Sequence, residues 1–318
     1  MLINLKRNII IALIFAFIVL LALTFFSDLN SIISAIRKFP LKVIPILLLL
    51  SSLNLFFRFL KWHYYIRELK INISFFDSLI IFSSGLVMSV TPGKWGEFLK
   101  SYLVKYKSGT AISETIPIVI SERITDIFSL IIFAILGAYI YNYGVTLIYS
   151  IAIVYLILAI IILNRKISLK FLNLIRNIKF LTKYYSKIDQ LNENLYKLFN
   201  PKIFSITMLY SFASWLFEFF GFYIILRSFT INISVMLTSF IYSFATVIGS
   251  LSMLPGGLGA TEGSLTFLLV ENGILNEHAI VATLIIRFVT LWFAEIVGAT
   301  ALLIFSKRES LSLKTIKI

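Results

Sequence analysis

The 318-residue chain contains no cysteine and only two histidines. The absence of cysteine excludes disulfides, thiolate catalysis and cysteine-ligated metal sites. His63 and His278 stand alone, without the spacing of metal ligands, and the sequence has no HExxH motif, Ser-His-Asp set or acidic cluster suited to a divalent metal. We therefore expect no metal or other cofactor, and we predict that the protein is not an enzyme.

Charged residues are also scarce, at 14% of the chain, whereas hydrophobic residues make up 59%. A soluble domain is usually about 45–50% apolar. Residues 9–27 and 145–163 carry no charge, and each run is long enough to cross a bilayer. The first run is too long for the core of a signal peptide, so we predict that it is a retained transmembrane helix. The composition predicts an all-α integral protein of the plasma membrane.

Acidic residues are few beside the basic ones, with 15 Asp and Glu against 29 Lys and Arg, and the net charge is +14. Such an excess also occurs in nucleic-acid-binding proteins, but in a chain this apolar we assign it to the lipid surface and expect no nucleic-acid partner. With the N-terminus in the cytoplasm, 22 of the 29 basic residues fall on cytoplasmic segments. This distribution predicts that both termini are cytoplasmic, with Arg37, Lys38 and Lys42 as exceptions on the outer side.

Hydropathy predicts six membrane spans, at about 9–27, 41–62, 115–141, 145–163, 203–226 and 279–305. Two further apolar stretches run into Pro-Gly breaks at 92–93 and 255–256. The segment after each break has about a dozen residues, which is too short to complete a crossing. Because proline and glycine stop a helix, we predict two re-entrant helical hairpins, at about 75–106 and 235–275.

The chain also repeats itself. Residues 54–74 align with residues 214–234 without a gap, and both segments end in INIS. In each half, an arginine within a span follows the break 31 or 32 residues after its proline. We predict a duplication of residues 1–144 and 145–318. Three spans and one hairpin per unit make an odd number of crossings, so the second copy is inverted in the membrane.

The segment between the two copies, residues 164–202, is basic and amphipathic. We predict that it forms one or two helices that lie on the cytoplasmic membrane surface and join the repeats. The alternative is an arm that binds a soluble partner.

Ionisable residues within the spans are the candidate site residues, because placing a charge inside a bilayer costs at least about 2.5–3.5 kcal/mol. Arg123 and Arg287 lie at similar depths from opposite faces, and the helix after each break presents free N–H groups. We predict an anion site near the midplane, with phosphate as its occupant because arginine binds phosphate in a bidentate way. The tip residues assigned to this site are Gly93, Lys94, Gly96, Gly256, Gly257 and Gly259.

Two glutamates, Glu97 and Glu262, follow the breaks within about one helical turn. Each has two interpretations. It is either a carboxylate that caps free N–H groups or an acceptor of a proton or cation that alternates with the substrate anion. Further candidates for gating or coupling are Glu122, Asp126 and Glu295.

Two charge pairs are predicted inside the membrane. Arg123 and Asp126 are three residues apart on one helix and therefore close enough to pair. Arg58 and Glu218 occupy equivalent positions in the two copies, and we assign them to a structural charge pair that joins helices.

Four motifs appear in a fixed order along the chain: PGKWGE at 92–97, SERITD at 121–126, PGGLGATEG at 255–263 and LIIRFV at 284–289. As a set they resemble the flippase-like membrane family that includes the transmembrane region of lysylphosphatidylglycerol synthase, over residues 9–305. Lys94 departs from the pattern, in which arginine is expected, so a charge is kept and the bidentate fork is lost. The resemblance implies a lipid flippase. The sequence shows no lysyl-transferase or glycosyltransferase domain, so synthesis of an aminoacylated lipid is not implied.

These features together favour a transporter of membrane lipids. We expect it to move an anionic-headgroup lipid between leaflets, such as an aminoacyl-phospholipid, another phospholipid or a polyprenyl-phosphate-linked lipid. One repeat would rock against the other, with coupling to a proton or cation. Two alternatives stay open. A secondary transporter of a small anion would have a sealed cavity instead of a lateral opening, and a membrane anchor would dock a glycosyltransferase or lipid-synthase partner.

Overall fold

The computed structural model describes residues 28–91, 97–141, 144–163 and 185–309, and throughout these ranges the regular elements are helical. The predicted all-α class is therefore confirmed. The α-helices are α1 (Leu29–Lys38), α2 (Ile44–Glu68), α3 (Phe75–Leu86), α4 (Leu99–Ser108), α5 (Ile112–Tyr141), α6 (Val145–Leu163), α7 (Tyr185–Leu198), α8 (Pro201–Ser228), α9 (Val235–Leu251), α10 (Ala260–Glu271), α11 (Asn276–Arg287) and α12 (Phe293–Arg308). A π-helical turn, Phe288–Trp292, joins α11 to α12.

Within the described residues, four helical segments are long and apolar enough to cross a membrane. They are Leu41–Glu68, Ile112–Tyr141, Pro201–Ser228 and Asn276–Arg308. They contain four of the predicted spans, and they make the chain a multi-pass membrane protein. The predicted span at 145–163 coincides with α6. The predicted span at 9–27 lies outside the described residues.

The repeated INIS sequence forms the same local structure twice. Ser74 accepts a hydrogen bond from the backbone N–H of Asp77 and caps α3, and Ser234 does the same for Leu237 and caps α9. Before each tetrapeptide, one residue has left-handed φ, 56° at Lys70 and 59° at Thr230. The tetrapeptide is therefore the turn and cap between a long helix and the helix that runs toward the Pro-Gly break.

The long helices that precede INIS, α2 and α8, pack against each other in an antiparallel direction. The Asn54 side chain donates to the Ser214 carbonyl at 2.9 Å, and Lys61 donates to the Ser211 hydroxyl at 2.8 Å. At the other end, a Cβ on Gly221 would lie 3.9 Å from Leu50. From one end of this contact to the other, residue numbers rise in α2 and fall in α8, so the two helices run antiparallel.

The helices before the two breaks cross over to the opposite half of the chain. Helix α3 packs on α12, and α9 packs on α5. Each crossing is close at a glycine, because a Cβ on Gly298 would collide with the backbone of Val87 and a Cβ on Gly137 would collide with the ring of Phe240. Small residues at helix crossings are typical of membrane bundles.

Among the described helices, α1 and α7 are short and lie outside the predicted spans and hairpins. Helix α1, which the sequence analysis did not predict, begins at the cap Asp28, leaves Ile33 and Ile36 about half exposed and packs on α11. Helix α7 is the described end of the predicted linker, whose residues 164–184 lie outside the described residues. It packs on α5, where the Asn194 side chain donates to the Glu114 carbonyl at 3.3 Å.

Candidate functional site

The second Pro-Gly break is held by one arginine. Arg287 is the last residue of α11, immediately before the π-helical turn. Its Nε lies 2.5 Å from Glu262 Oε1, and its Nη2 donates to the Gly256 carbonyl at 2.6 Å. Glu262 Oε2 accepts from the Gly259 backbone N–H at 2.7 Å. The carboxylate of Glu262 therefore caps α10 and binds Arg287 at the same time, as the capping interpretation predicted.

The glycines of this break have a backbone that other residues adopt only with strain. Gly256, Gly257 and Gly259 have φ values of 62°, 66° and 83°. At Gly257 space is also short, since a Cβ would lie 2.8 Å from the hydroxyl of Thr261. The sequence PGGLG thus lets the chain turn tightly between α9 and α10.

The first Pro-Gly break carries the equivalent ion pair. A guanidinium nitrogen of Arg123, on α5, contacts Glu97, the described residue that directly follows the break. Glu97 is buried. Both arginines therefore bind the glutamate that follows the break of their own half. The predicted tip residues Gly93, Lys94 and Gly96 lie outside the described residues.

Arg123 and Arg287 meet at the wall of one cavity of about 230 Å³. Gly256, Gly257 and Thr261 of the second break line the same cavity. The side chains retain some access, with Arg123 25% and Arg287 13% exposed. The structure thus brings the two arginines predicted to share an anion site to one space, together with glycines of one tip.

A smaller cavity of about 90 Å³ adjoins this one, and Arg287 lines both. Its wall includes the charged residues Arg58, Glu97 and Glu218. Glu218 accepts a hydrogen bond of 2.6 Å from the Tyr242 hydroxyl. The predicted pair of Arg58 with Glu218 stays a prediction, although both side chains face this cavity.

Asp126 binds a lysine that the sequence analysis did not single out. Lys61 Nζ lies 2.5 Å from Asp126 Oδ1, and its side chain is 0% exposed. Arg58 Nη2 lies 3.4 Å from the other carboxylate oxygen. The 22 basic residues assigned to cytoplasmic segments include Lys61, but in the structure it is buried, lies one turn beyond Arg58 on α2 and faces the same carboxylate. For Arg123, the ion pair in the structure is with Glu97.

The two remaining acidic candidates do not line these cavities, although Ser89, which bonds Glu295, lines the smaller one. Glu122 pairs with Lys100 at 2.5 Å, where the ammonium group also lies 4.6 Å from the centre of the Trp62 ring. Glu295 accepts a hydrogen bond of 2.6 Å from the Ser89 hydroxyl. The first contact joins α4 to α5, and the second joins α12 to the turn that follows α3, so both carboxylates hold separate segments together. Their predicted role in gating or coupling stays a prediction.

The sequence profile of the lysylphosphatidylglycerol synthase TM region family matches residues 9–298. The chain belongs to this family. A UPF0104 membrane protein of Pyrococcus horikoshii is 23% identical over 312 residues, which covers 89% of this chain and 93% of that protein. One of Methanocaldococcus jannaschii is 23% identical over 224 residues, or 67% of this chain and 91% of that protein. The resemblance inferred from the four motifs is confirmed.

Proposed function

We propose that this protein is a transporter, not an enzyme, and that it moves lipids with an anionic headgroup between the leaflets of the plasma membrane. The observation that carries the proposal is that Arg123 and Arg287, from the two halves of the chain, line one cavity. Arginines inside a membrane protein usually face a polar path, and their planar fork suits phosphate. Membership of a family named for the membrane part of a lipid-modifying enzyme supports a lipid substrate.

The same proposal includes the inverted repeat of residues 1–144 and 145–318, with six spans and two re-entrant hairpins. In a two-fold arrangement, residues near the axis contact their own equivalents. Asn54 contacts Ser214, and the rings of Phe57 and Phe217 are 5.4 Å apart, each pair being offset by 160 residues. The antiparallel packing of α2 on α8 and the reciprocal crossings of α3 and α9 support inversion.

The lining of the central cavity supports an anionic ligand. Two N–H donors of lining side chains, Arg123 Nε and Trp215 Nε1, are buried without an acceptor among the described residues. Buried donors are rarely left unpaired. A headgroup phosphate carries several acceptor oxygens that such donors can bind, and Asp126, the carboxylate that lines the same cavity, already binds Lys61 and Arg58.

In the transport cycle we propose, each arginine exchanges its glutamate for the headgroup. A phosphate that binds Arg287 competes with Glu262, and one that binds Arg123 competes with Glu97. The displaced carboxylate then takes up a proton or cation, because an unpaired carboxylate inside the protein is unfavourable. Rocking of one repeat against the other transfers the headgroup from one arginine to the next.

A secondary transporter of a small anion is the second candidate, and the size of the central cavity favours it. Cavities of about 230 and 90 Å³ are smaller than the roughly 300–1,000 Å³ of typical ligand sites. They suit a phosphate-sized group better than a whole lipid. Docking of a glycosyltransferase or lipid-synthase partner on residues 164–202 stays a prediction.

The test is transport by purified protein in vesicles with labelled phosphatidylglycerol and labelled polyprenyl phosphate. We expect Arg123→Ala and Arg287→Ala each to slow flipping about tenfold or more, the effect of losing a charged hydrogen bond. Arg227→Ala is the matched control, because Arg227 is exposed and bonds Asn232 away from the cavity. Wild-type rates equal to those of empty vesicles, under every ion gradient, contradict lipid transport. Uptake of inorganic phosphate without lipid flipping supports the second candidate.

A further inference from the structure

A third cavity, of about 360 Å³, opens on the side of the protein between α1 and α11. Ile36 and Phe39 line it from the α1 side, and Leu284, Ile285 and Phe288 line it from the α11 side. We call it the lateral groove. Its volume exceeds that of the central cavity and that of the smaller adjoining cavity. It lies in the range of small-molecule sites, about 300–1,000 Å³.

The lateral groove has an amphipathic lining. Among its described lining residues only Glu262 and Arg287 are ionisable, and the others are apolar. Arg287 also lines the central cavity that Arg123 lines. The lateral groove and the central cavity therefore share Arg287, the residue that we propose for headgroup binding. A small soluble anion would gain nothing from such a wall.

The groove is open toward its surroundings. Its lining side chains Ile36, Leu41 and Phe288 are 50%, 75% and 57% exposed. In a membrane protein, exposed apolar side chains face lipid tails. A hydrocarbon chain can therefore enter the groove without leaving an apolar environment.

Three basic residues interleave with the groove lining at the end of α1. Arg37, Lys38 and Lys42 are exposed, and in sequence they flank the lining residues Phe39 and Leu41. They are also the exceptions to the predicted excess of positive charge in the cytoplasm. Basic clusters beside a membrane attract anionic headgroups. Their position gives these exceptions a role, since they would concentrate anionic lipid at the groove.

We infer that the lateral groove binds the hydrocarbon chain of an anionic lipid whose headgroup reaches Arg287. The inference rests on the proposed function and deepens it, because it names the part of the molecule that selects a lipid over a free anion. Charge complementarity at the inner end and apolar walls along the groove match the two ends of such a lipid.

The direct test uses phosphatidylglycerol with a photoactivatable group in its acyl chain, in phosphatidylcholine vesicles that contain the protein. We expect cross-links at the groove residues Leu284, Ile285 and Phe288, and competition by unlabelled phosphatidylglycerol. Glycerophosphate, which has the headgroup phosphate without the chain, should not compete. Cross-links spread evenly over exposed apolar residues would overturn the inference, as would full competition by glycerophosphate.

A blocking variant tests the same site by transport. Ile36→Trp fills the groove, whereas Ile33→Trp adds the same ring on the same helix at a similarly exposed position that does not line it. We expect Ile36→Trp to reduce groove cross-linking and flipping about tenfold, because excluding two methylene groups has an effect of this order. Ile33→Trp should match wild type. Equal flipping by both variants overturns the inference and leaves the proposed function standing. Groove cross-linking in a wild type that flips no lipid refutes the proposed function alone.

Discussion

The two glutamate–arginine pairs have the same arrangement but different surroundings. Glu262 and Arg287 bond the backbone of the Pro-Gly break, and Arg287 lines both the lateral groove and the central cavity. Arg123 lines the central cavity too and Glu97 lines the smaller one, but their neighbours include the carboxylate of Asp126, which binds the buried Lys61. The position equivalent to Lys61 in the second half is Gly221. The two halves thus differ in structure: Arg287 lies between the lateral groove and the central cavity, whereas Arg123 lies beside a buried charge network.

The largest expected effect comes from a variant that breaks the charge network of the first half, formed by Arg58, Lys61 and Asp126. Asp126→Ala leaves Lys61 buried without its carboxylate, and removing one partner of a buried ion pair costs about 3–5 kcal/mol. We expect a much lower midpoint of thermal unfolding in detergent. In the double variant Lys61→Met with Asp126→Leu, the fully buried pair is removed as a whole and Arg58, whose side chain is 18% exposed, loses its contact with Asp126, so much of the stability should return. A double variant as unstable as Asp126→Ala would show that the network does more than neutralise itself.

A variant with an intermediate expected effect tests the backbone of the second Pro-Gly break. Gly257→Ala forces alanine into a left-handed backbone next to Thr261, which costs about 1–2 kcal/mol. We expect a lower unfolding midpoint and slower lipid flipping, because the break lines the central cavity. Gly263→Ala is the control, since Gly263 is helical and has open space at its Cβ position. Equal behaviour of both variants would mean that the break tolerates another backbone geometry.

The smallest expected effect tests whether the two INIS segments stabilise their helices equally. Ser74→Ala and Ser234→Ala each remove an N-cap hydrogen bond of 3.1 Å, with an expected loss of about 1 kcal/mol apiece. Chemical unfolding of the two variants side by side measures the loss. A neutral result at one serine only would show that the repeated INIS has kept its sequence without keeping its role.

Periodic and compositional signals predicted much of this fold. Long apolar runs predicted the four spans, and the positions of Arg123 and Arg287 after the two breaks predicted that they line one space. The ion pairs Glu97–Arg123 and Glu262–Arg287 were not predicted, since the three-residue spacing paired Arg123 with Asp126. Helix α1 was not predicted because it is short and amphipathic, so it does not form the long apolar run by which the spans were identified. Lys61 was missed because a lysine near a span end is expected to reach the membrane surface, and only tertiary packing directs it to Asp126.

The most direct measurement is a double-mutant cycle on lipid flipping with Arg123→Ala, Arg287→Ala and the combined variant. If both guanidinium groups serve one headgroup, the second substitution should add little to the first, with a coupling free energy of about 1 kcal/mol or more. If instead the rate of the combined variant equals the product of the two single effects, the arginines act on separate events, and the account of a shared anion site is contradicted.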